Sequence, residues 1–315
     1  MHFLRTRVVV GRLVGIVAPG VGRPMVVRAR TWQGWRRVVR GPRDAQRLRA
    51  AEAAVAAARE LPGHRDLLAR ALTVRAIRRN GLDRLTEALA DCAEAEAILR
   101  GSAAGFGSVS GDREWLGRVL GVRGDTLARL DRDSEALAVL TEAVAVLRDQ
   151  VRIGNRRALV PYAQQCWQHG RALLAADRLV QADEAFAEVA AVWRRERPTR
   201  RLRHLQAYGP ALAFRASTLL RLDRDDEAAT MAREAEDRLE ALCLFFPDLY
   251  GRTLAFARTA RASALHRLGD RDGAIVAVDR AIRGLRRLAV KGHGDEASLA
   301  WALEVRDAVQ RDSGS

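Results

Sequence analysis

The chain has 315 residues, room for one large domain or two ordinary ones, and 48% of them are apolar, enough for a sizeable core. Aromatics are only 5%, and Ala, Arg and Leu dominate, which is a helix-forming composition. The net charge of +15 is almost all arginine, with Lys291 the only lysine. More than half of it lies in residues 1–44, which argues against a nucleic-acid-binding role for the rest of the chain.

Residues 1–43 form a basic N-terminal extension, expected to be disordered. Its opening, "MHFLRTRVVVGRLVGIVAPGVG", is interrupted by Arg12, lacks a small-x-small cleavage site and is too short and charged to span a bilayer. The expectation is a cytoplasmic protein without a leader or transmembrane segment, with Met25 as an alternative start. Trp32 and Trp35 alternate with arginine in "RARTWQGWRRVVR". Such a stretch can stack on single-stranded nucleic acid or lie on a membrane surface. A short amphipathic helix docked on the first helical repeat is the preferred reading. Residues 44–64 are a cap segment, with an amphipathic helix over 44–60.

From 65 to 312 the chain repeats itself. Five alanines, Ala88, Ala136, Ala185, Ala228 and Ala274, follow near-copies of one turn. Leucine stands six residues before each: Leu82, Leu130, Leu179, Leu222 and Leu268. Twelve residues before come Ala76, Gly124, Leu173, Ala216 and Ala262, and seven after come Ala95, Ala143, Val192, Ala235 and Ala281. The third copy is the loosest, and the intervals are 48, 49, 43 and 46 residues. Two antiparallel helices approach closely only where side chains are small, so these columns mark helix-pair contacts. The leucine is expected to seal the turn, and the acids after it to cap the second helix. Pairs of this kind bury their apolar faces by stacking. Residues 294–312 form a closing helix, 99–112 and 194–204 are connectors, and Pro161 and Pro247 open first helices.

This pattern resembles the tetratricopeptide repeat (TPR), in the long-helix bacterial form related to kinesin-light-chain repeats, because the intervals exceed the family's usual length of about 34. The resemblance implies an all-α fold. It would be a right-handed superhelical α-solenoid of about five helix pairs with flanking cap helices. It also implies that the first helices line a concave groove that binds a peptide or helix. The inward positions are then Arg70, Arg118, Asp125, Trp167, Ser217, Ser263 and His266. The Lys/Asn clamp of chaperone-binding relatives is missing.

The turn "LDRDSEALAVLTE" (130–142) also carries acids at calcium-loop spacing. A calcium loop needs glycine at its sixth position, and Ala136 stands there. The stretch reads as a helix start, not a metal site. Cys92, Cys166 and Cys243 are far apart, and no CxxC occurs. His169 lies three residues from Cys166 without a further ligand nearby, and no nucleotide, zinc-protease or serine-hydrolase motif is present. The expectation is therefore a non-enzymatic protein–protein scaffold with no cofactor or metal, binding a protein or peptide, with a second copy of the chain another candidate partner. Two alternatives are a sensor module acting in trans on a separate regulator, NTPase or protease, and nucleic-acid association through the N-terminal arginines.

Overall fold

The computed structural model describes residues 44–103, 110–195 and 202–311. The basic N-terminal extension, with Trp32 and Trp35, lies outside them. Among the described residues there are twelve α-helices and no strand. Helix α1 (Asp44–Arg59) precedes five pairs: α2 (Arg65–Gly81) with α3 (Leu85–Ala103), α4 (Ser110–Ala128) with α5 (Asp133–Arg152), α6 (Leu159–Ala175) with α7 (Leu179–Arg195), α8 (Leu202–Arg221) with α9 (Asp225–Cys243), and α10 (Pro247–Arg267) with α11 (Arg271–Val290). Helix α12 (Glu296–Arg311) comes last. Pro247 opens α10, where its missing N–H costs nothing, and Pro161 is the third residue of α6. The expected connectors are shorter than 99–112 and 194–204, because α3 continues to Ala103, α4 starts at Ser110 and α8 starts at Leu202.

Contacts divide the chain into two compact units, Met1–Gln165 and Cys166–Ser315. In the first, α1 packs on α2, and α2 touches α4, the next first helix, as well as its own partner α3. In the second, α8 touches α10 and α10 touches α12, so first helices adjoin one another there too. Every pair needs its neighbour to cover its apolar side. The end helices do the same: α1 buries Leu48, Ala51, Ala54, Val55 and Ala58, and α12 buries Ala302 and Val309.

The turn inside each pair sets the repeat. Asp83, Asp131, Asp177 and Asp223 have φ of 61, 57, 58 and 53°, and Gly269 has 81°. Each stops the first helix in the left-handed conformation, which aspartate tolerates better than most residues and glycine adopts freely. The next backbone N–H returns to a carbonyl five residues back: Arg84 to Arg79, Arg132 to Leu127, Arg178 to Leu173, Arg224 to Leu219 and Asp270 to Leu265, all at 2.9–3.0 Å. This is the Schellman closure of a helix C-terminus.

The turns correct the third copy. Elsewhere the left-handed residue stands five positions before the anchor alanine, so Asp177 makes Ala182 the anchor, not Ala185. Ala176 then replaces Leu179 before the turn, Gly170 replaces Leu173 on the first helix, and Val189 replaces Val192 on the second. The intervals become 48, 46, 46 and 46 residues. "QADEAFAE" offers two alanines three residues apart, and only the backbone turn distinguishes them.

Two further expectations are corrected. At two of the turns the leucine does not act as a seal: Leu82 is 37% and Leu268 43% exposed at the helix C-cap, whereas Leu130 and Leu222 are half-buried. The seal is made three residues earlier by Leu127, Leu173 and Leu219, all buried. The acids do not generally cap the second helix either. Arg132 and Arg224 are the N-caps of α5 and α9 without a side-chain cap bond, whereas at α11 Asp270 accepts from the backbone N–H of Gly273. The arginines instead pair one turn on, Arg84 with Glu87, Arg132 with Glu135 and Arg224 with Glu227.

The small columns lie at the helix crossings. Ala76, Ala88, Ala95, Ala136, Ala143, Ala216, Ala228, Ala235, Ala262, Ala274 and Ala281 are fully buried. A Cβ at Gly124 would lie 2.5 Å from Leu140 Cγ, and one at Gly170 would lie 2.6 Å from the Phe186 ring. Arginines then tie successive pairs. Arg129 donates to Asp83 and, at 2.7 Å, to Asn80 Oδ1; Arg221 donates to Asp177, and Arg267 to Asp223 at 3.1 Å. Each reaches back to the left-handed aspartate of the pair before it. A second column, thirteen residues before the anchors, pairs Arg75 with Asp91, Arg123 with Glu96, Arg215 with Asp183 and Arg261 with Glu236. Part of the arginine content is therefore structural.

Candidate binding face

In the first unit, the first-helix side carries a closed cluster. Trp115 on α4 lies beneath two guanidinium groups, Arg118 at 5.0 Å and Arg70 of α2 at 6.0 Å from the ring centroid. Asp66 and Asp112 pair with Arg70, and Glu114 pairs with Arg118 at 2.7 Å. Asp112 and Glu114 are buried. Burial lowers the Arg118 pKa from its ordinary value, against the opposing pull of Glu114. Asp125 accepts from Asn80 Nδ2 at 2.6 Å, so it joins α4 to α2. Arg70, Arg118 and Asp125 are thus engaged within the fold.

The second unit differs. A row of half-buried aromatic rings crosses its first helices: Phe214 on α8, Phe256 on α10 and Trp301 on α12, with successive centroids 5.1 Å apart. Phe214 also meets the buried Phe186 of α7 at 6.2 Å. The row continues to α6 through Arg171, whose guanidinium lies 5.3 Å from the Trp167 ring and 5.8 Å from Phe214. Such stacking is a cation–π contact. The indole Nε1 of Trp167 is buried. Ser217 and Ser263 are half-buried at matching places on α8 and α10, eleven residues before their anchors, and His266 is half-buried in the last turn of α10. Of the predicted positions, then, Trp167 joins this row, and Ser217, Ser263 and His266 lie on the helices that carry it. Sequence reasoning missed Arg171, Phe214 and Phe256, whose relation is a contact rather than a repeated column.

Arg171 is exposed, and its hydrogen bond goes to Gln168 Oε1 at 3.2 Å, with no carboxylate partner among the described residues. Most neighbouring arginines are committed, Arg215 and Arg224 to Asp183, Arg221 to Asp177, and Arg258 and Arg261 to Glu236, whereas the exposed Arg252, four residues before Phe256, has no carboxylate partner among the described residues. Glu236 itself is buried; burial pushes its carboxyl up, but hydrogen bonds from Arg258 and Arg261 outweigh this and hold its pKa below the ordinary value. A shallow cleft of about 390 Å³ lies on the first unit between α3 and α4, lined by Glu96, Arg100, Arg123 and Arg132. Its three arginines already have carboxylate partners. Among the described residues no group of three His, Cys, Asp or Glu side chains could hold a metal ion, and no helix is long and apolar enough to cross a membrane.

No family model matches this chain, and no curated protein matches its sequence. Solved structures do match it in fold. BtubC (BKLC) from P. vanneervenii superposes with a TM-score of 0.58 at 16% identity, covering 80% of this chain and 94% of that one. Aspartyl phosphate phosphatase F from Bacillus subtilis gives 0.55 at 10% identity over 93% of this chain and 71% of that one. A Rap protein complexed with competence and sporulation factor gives 0.51 at 11% identity over 93% and 76%. The fold is a TPR-like helical-repeat fold. At these identities the likeness extends to the fold and no further.

Proposed function

We propose that the chain is a protein-interaction scaffold of the cytoplasm, non-enzymatic in itself, which holds a peptide or helix of a partner protein on the first-helix side of its second unit. The observation that carries this is the row of half-buried rings across α8, α10 and α12. Aromatic side chains left part-open supply large contact area at low entropic cost and are enriched in binding hot spots. Ser217 and Ser263 add hydrogen-bonding groups beside it. The Rap protein of similar fold, solved with competence and sporulation factor, supports a ligand-binding role for such an array. Three free cysteines suit a reducing compartment.

The test is site-specific photocrosslinking in native lysate. A crosslinking amino acid is placed at Ser217 or Ser263 of the full chain, with Thr230, exposed on the second helix α9, as the control. Discrete protein adducts from the two serine positions and none from Thr230 are expected. Adducts only from Thr230, or equal yields from all three positions, would refute the assignment of this face.

A further inference from the structure

We infer that the partner segment held by the second unit is acidic: an internal Asp or Glu side chain pairs with Arg171 while a neighbouring aromatic or aliphatic side chain lies on Phe214 and Phe256. This rests on the scaffold function proposed above and specifies its ligand.

The argument begins with Arg171. Its guanidinium is exposed yet held over two rings, Trp167 and Phe214, with Gln168 Oε1 as a third restraint. A guanidinium laid against aromatic faces is pre-organised, and its planar fork of donors fits a carboxylate with two parallel hydrogen bonds. Less rotamer freedom then remains to be lost on binding. In the first unit the comparable pair, Arg70 and Arg118 around Trp115, already has Asp66, Asp112 and Glu114 as carboxylate partners. Around Arg171 that place is empty, and a ligand carboxylate completes the arrangement.

The rest of the face agrees. Three or four positions from Phe214 and Phe256 on their own helices stand Ser217, Arg252, Thr253 and Thr259 and no acid; on α12 the exposed Glu304 stands three positions from Trp301, at the other end of the row from Arg171. The nearest turn acids, Asp177 and Asp223, are occupied by Arg221 and Arg267. At the Arg171 end of the row an incoming carboxylate therefore meets a compensating charge, which is how charge complementarity selects a partner. Single-stranded nucleic acid also stacks on aromatics, but it brings a phosphate at every nucleotide and needs a track of free cations. On the first helices of the second unit, Arg171 and Arg252 are the exposed arginines without a carboxylate partner among the described residues; two cations do not make such a track, and Arg221 and Arg267 are engaged, so the observations favour an acidic peptide.

The experiment uses the full chain and a random peptide display library in which the displayed segment has no free C-terminus. Selected sequences are then made as amidated peptides and measured by fluorescence polarisation. Enrichment of Asp or Glu beside an aromatic or aliphatic residue is expected. Arg171→Gln should weaken such peptides roughly tenfold or more, the usual scale for a lost charge-assisted hydrogen bond. Arg171→Glu should shift the selection toward basic peptides. Far-ultraviolet ellipticity and melting of each variant confirm that it folds. Selection without acidic preference, no selection at all, or affinity unchanged in Arg171→Glu overturns the inference. So does a requirement for a free C-terminal carboxylate, or tight Arg171-dependent binding of a uridine oligonucleotide. Phe256→Ala separates the two levels. If it abolishes binding while Arg171→Glu does not, the scaffold function stands and the acidic ligand falls. If neither matters, the face itself is wrongly assigned.

Discussion

The left-handed turn yields a sharp test of the repeat register. Asp131 has φ of 57° and ends α4, five residues before the fully buried Ala136. Replacing it with alanine keeps a Cβ in a conformation that costs an L-residue about 1–2 kcal/mol. Glycine removes that crowding but gives the unfolded chain more freedom, worth roughly 0.5–1 kcal/mol. The difference leaves Asp131→Gly more stable than Asp131→Ala by about 1 kcal/mol, or about 2–4 °C in Tm for a unit of this size. Inside a helix the order reverses: Ala93, exposed in the middle of α3, should lose about 1 kcal/mol on change to glycine. Asp223 adds a second comparison, since it has a similar φ of 53° but also receives Arg267. Asp223→Gly should therefore fare slightly worse than Asp131→Gly at low salt, and the gap should close in high salt. Urea and thermal unfolding of the full chain, monitored by far-ultraviolet ellipticity, measure all four variants. An Asp131→Ala protein as stable as Asp131→Gly would mean that the turn residue is not left-handed. The 46-residue interval would lose its basis with it.

Other consequences are equally direct. Glu236→Gln should cost about 1–2 kcal/mol near neutral pH by leaving Arg258 and Arg261 without a full partner. Because the folded carboxyl titrates below its ordinary range, its stabilisation is complete above that range and lost as pH falls through the folded value. The gap between wild type and variant should therefore narrow in acid, and melting curves across pH will show whether it does. Gly170→Val should destabilise the second unit by about 1–3 kcal/mol, since the new side chain meets the Phe186 ring; a melting temperature equal to wild type would contradict the close crossing of α6 and α7. Burial pushes the Cys243 thiol up to about 11, so its alkylation at pH 8 should be slow in the folded chain and rise steeply only in strong base. A rate at pH 8 matching a free thiol would show that α9 leaves it open.

The helix pairs were legible because physics leaves little choice at their crossings. Only small side chains fit there, so Ala76, Ala88 and Ala95 and their counterparts recur at fixed spacing. The third pair was misread because the letters around Ala182 and Ala185 fit equally well, while the deciding feature is a dihedral angle at Asp177. The leucines before the turns show the limit of reading burial from hydrophobicity: Leu82 and Leu268 occupy a fixed column yet face solvent. The aromatic row was hidden for another reason. Phe214 stands fourteen residues before its anchor and Phe256 eighteen, so they share no column, and only the packing of α8 on α10 brings them together. Arg171 falls in the same column as Asp125, Ser217 and Ser263. Nothing in that mixed column marks which member lacks an internal partner.

The arginine that reaches back to the preceding aspartate at Asp83, Asp177 and Asp223 makes those joints directional. Asp177 and Asp223 are separated by 46 residues and stand in the same turn geometry, each with arginine next in the chain. Cutting out residues 178–223 would join Asp177 to Arg224 and place Arg267 opposite Asp177 in the role that Asp223 had. The chain can thus be shortened, or lengthened by the same segment, without inventing a new joint. On this geometry the array is modular, and a splice of 46 residues at these two turns preserves the joint.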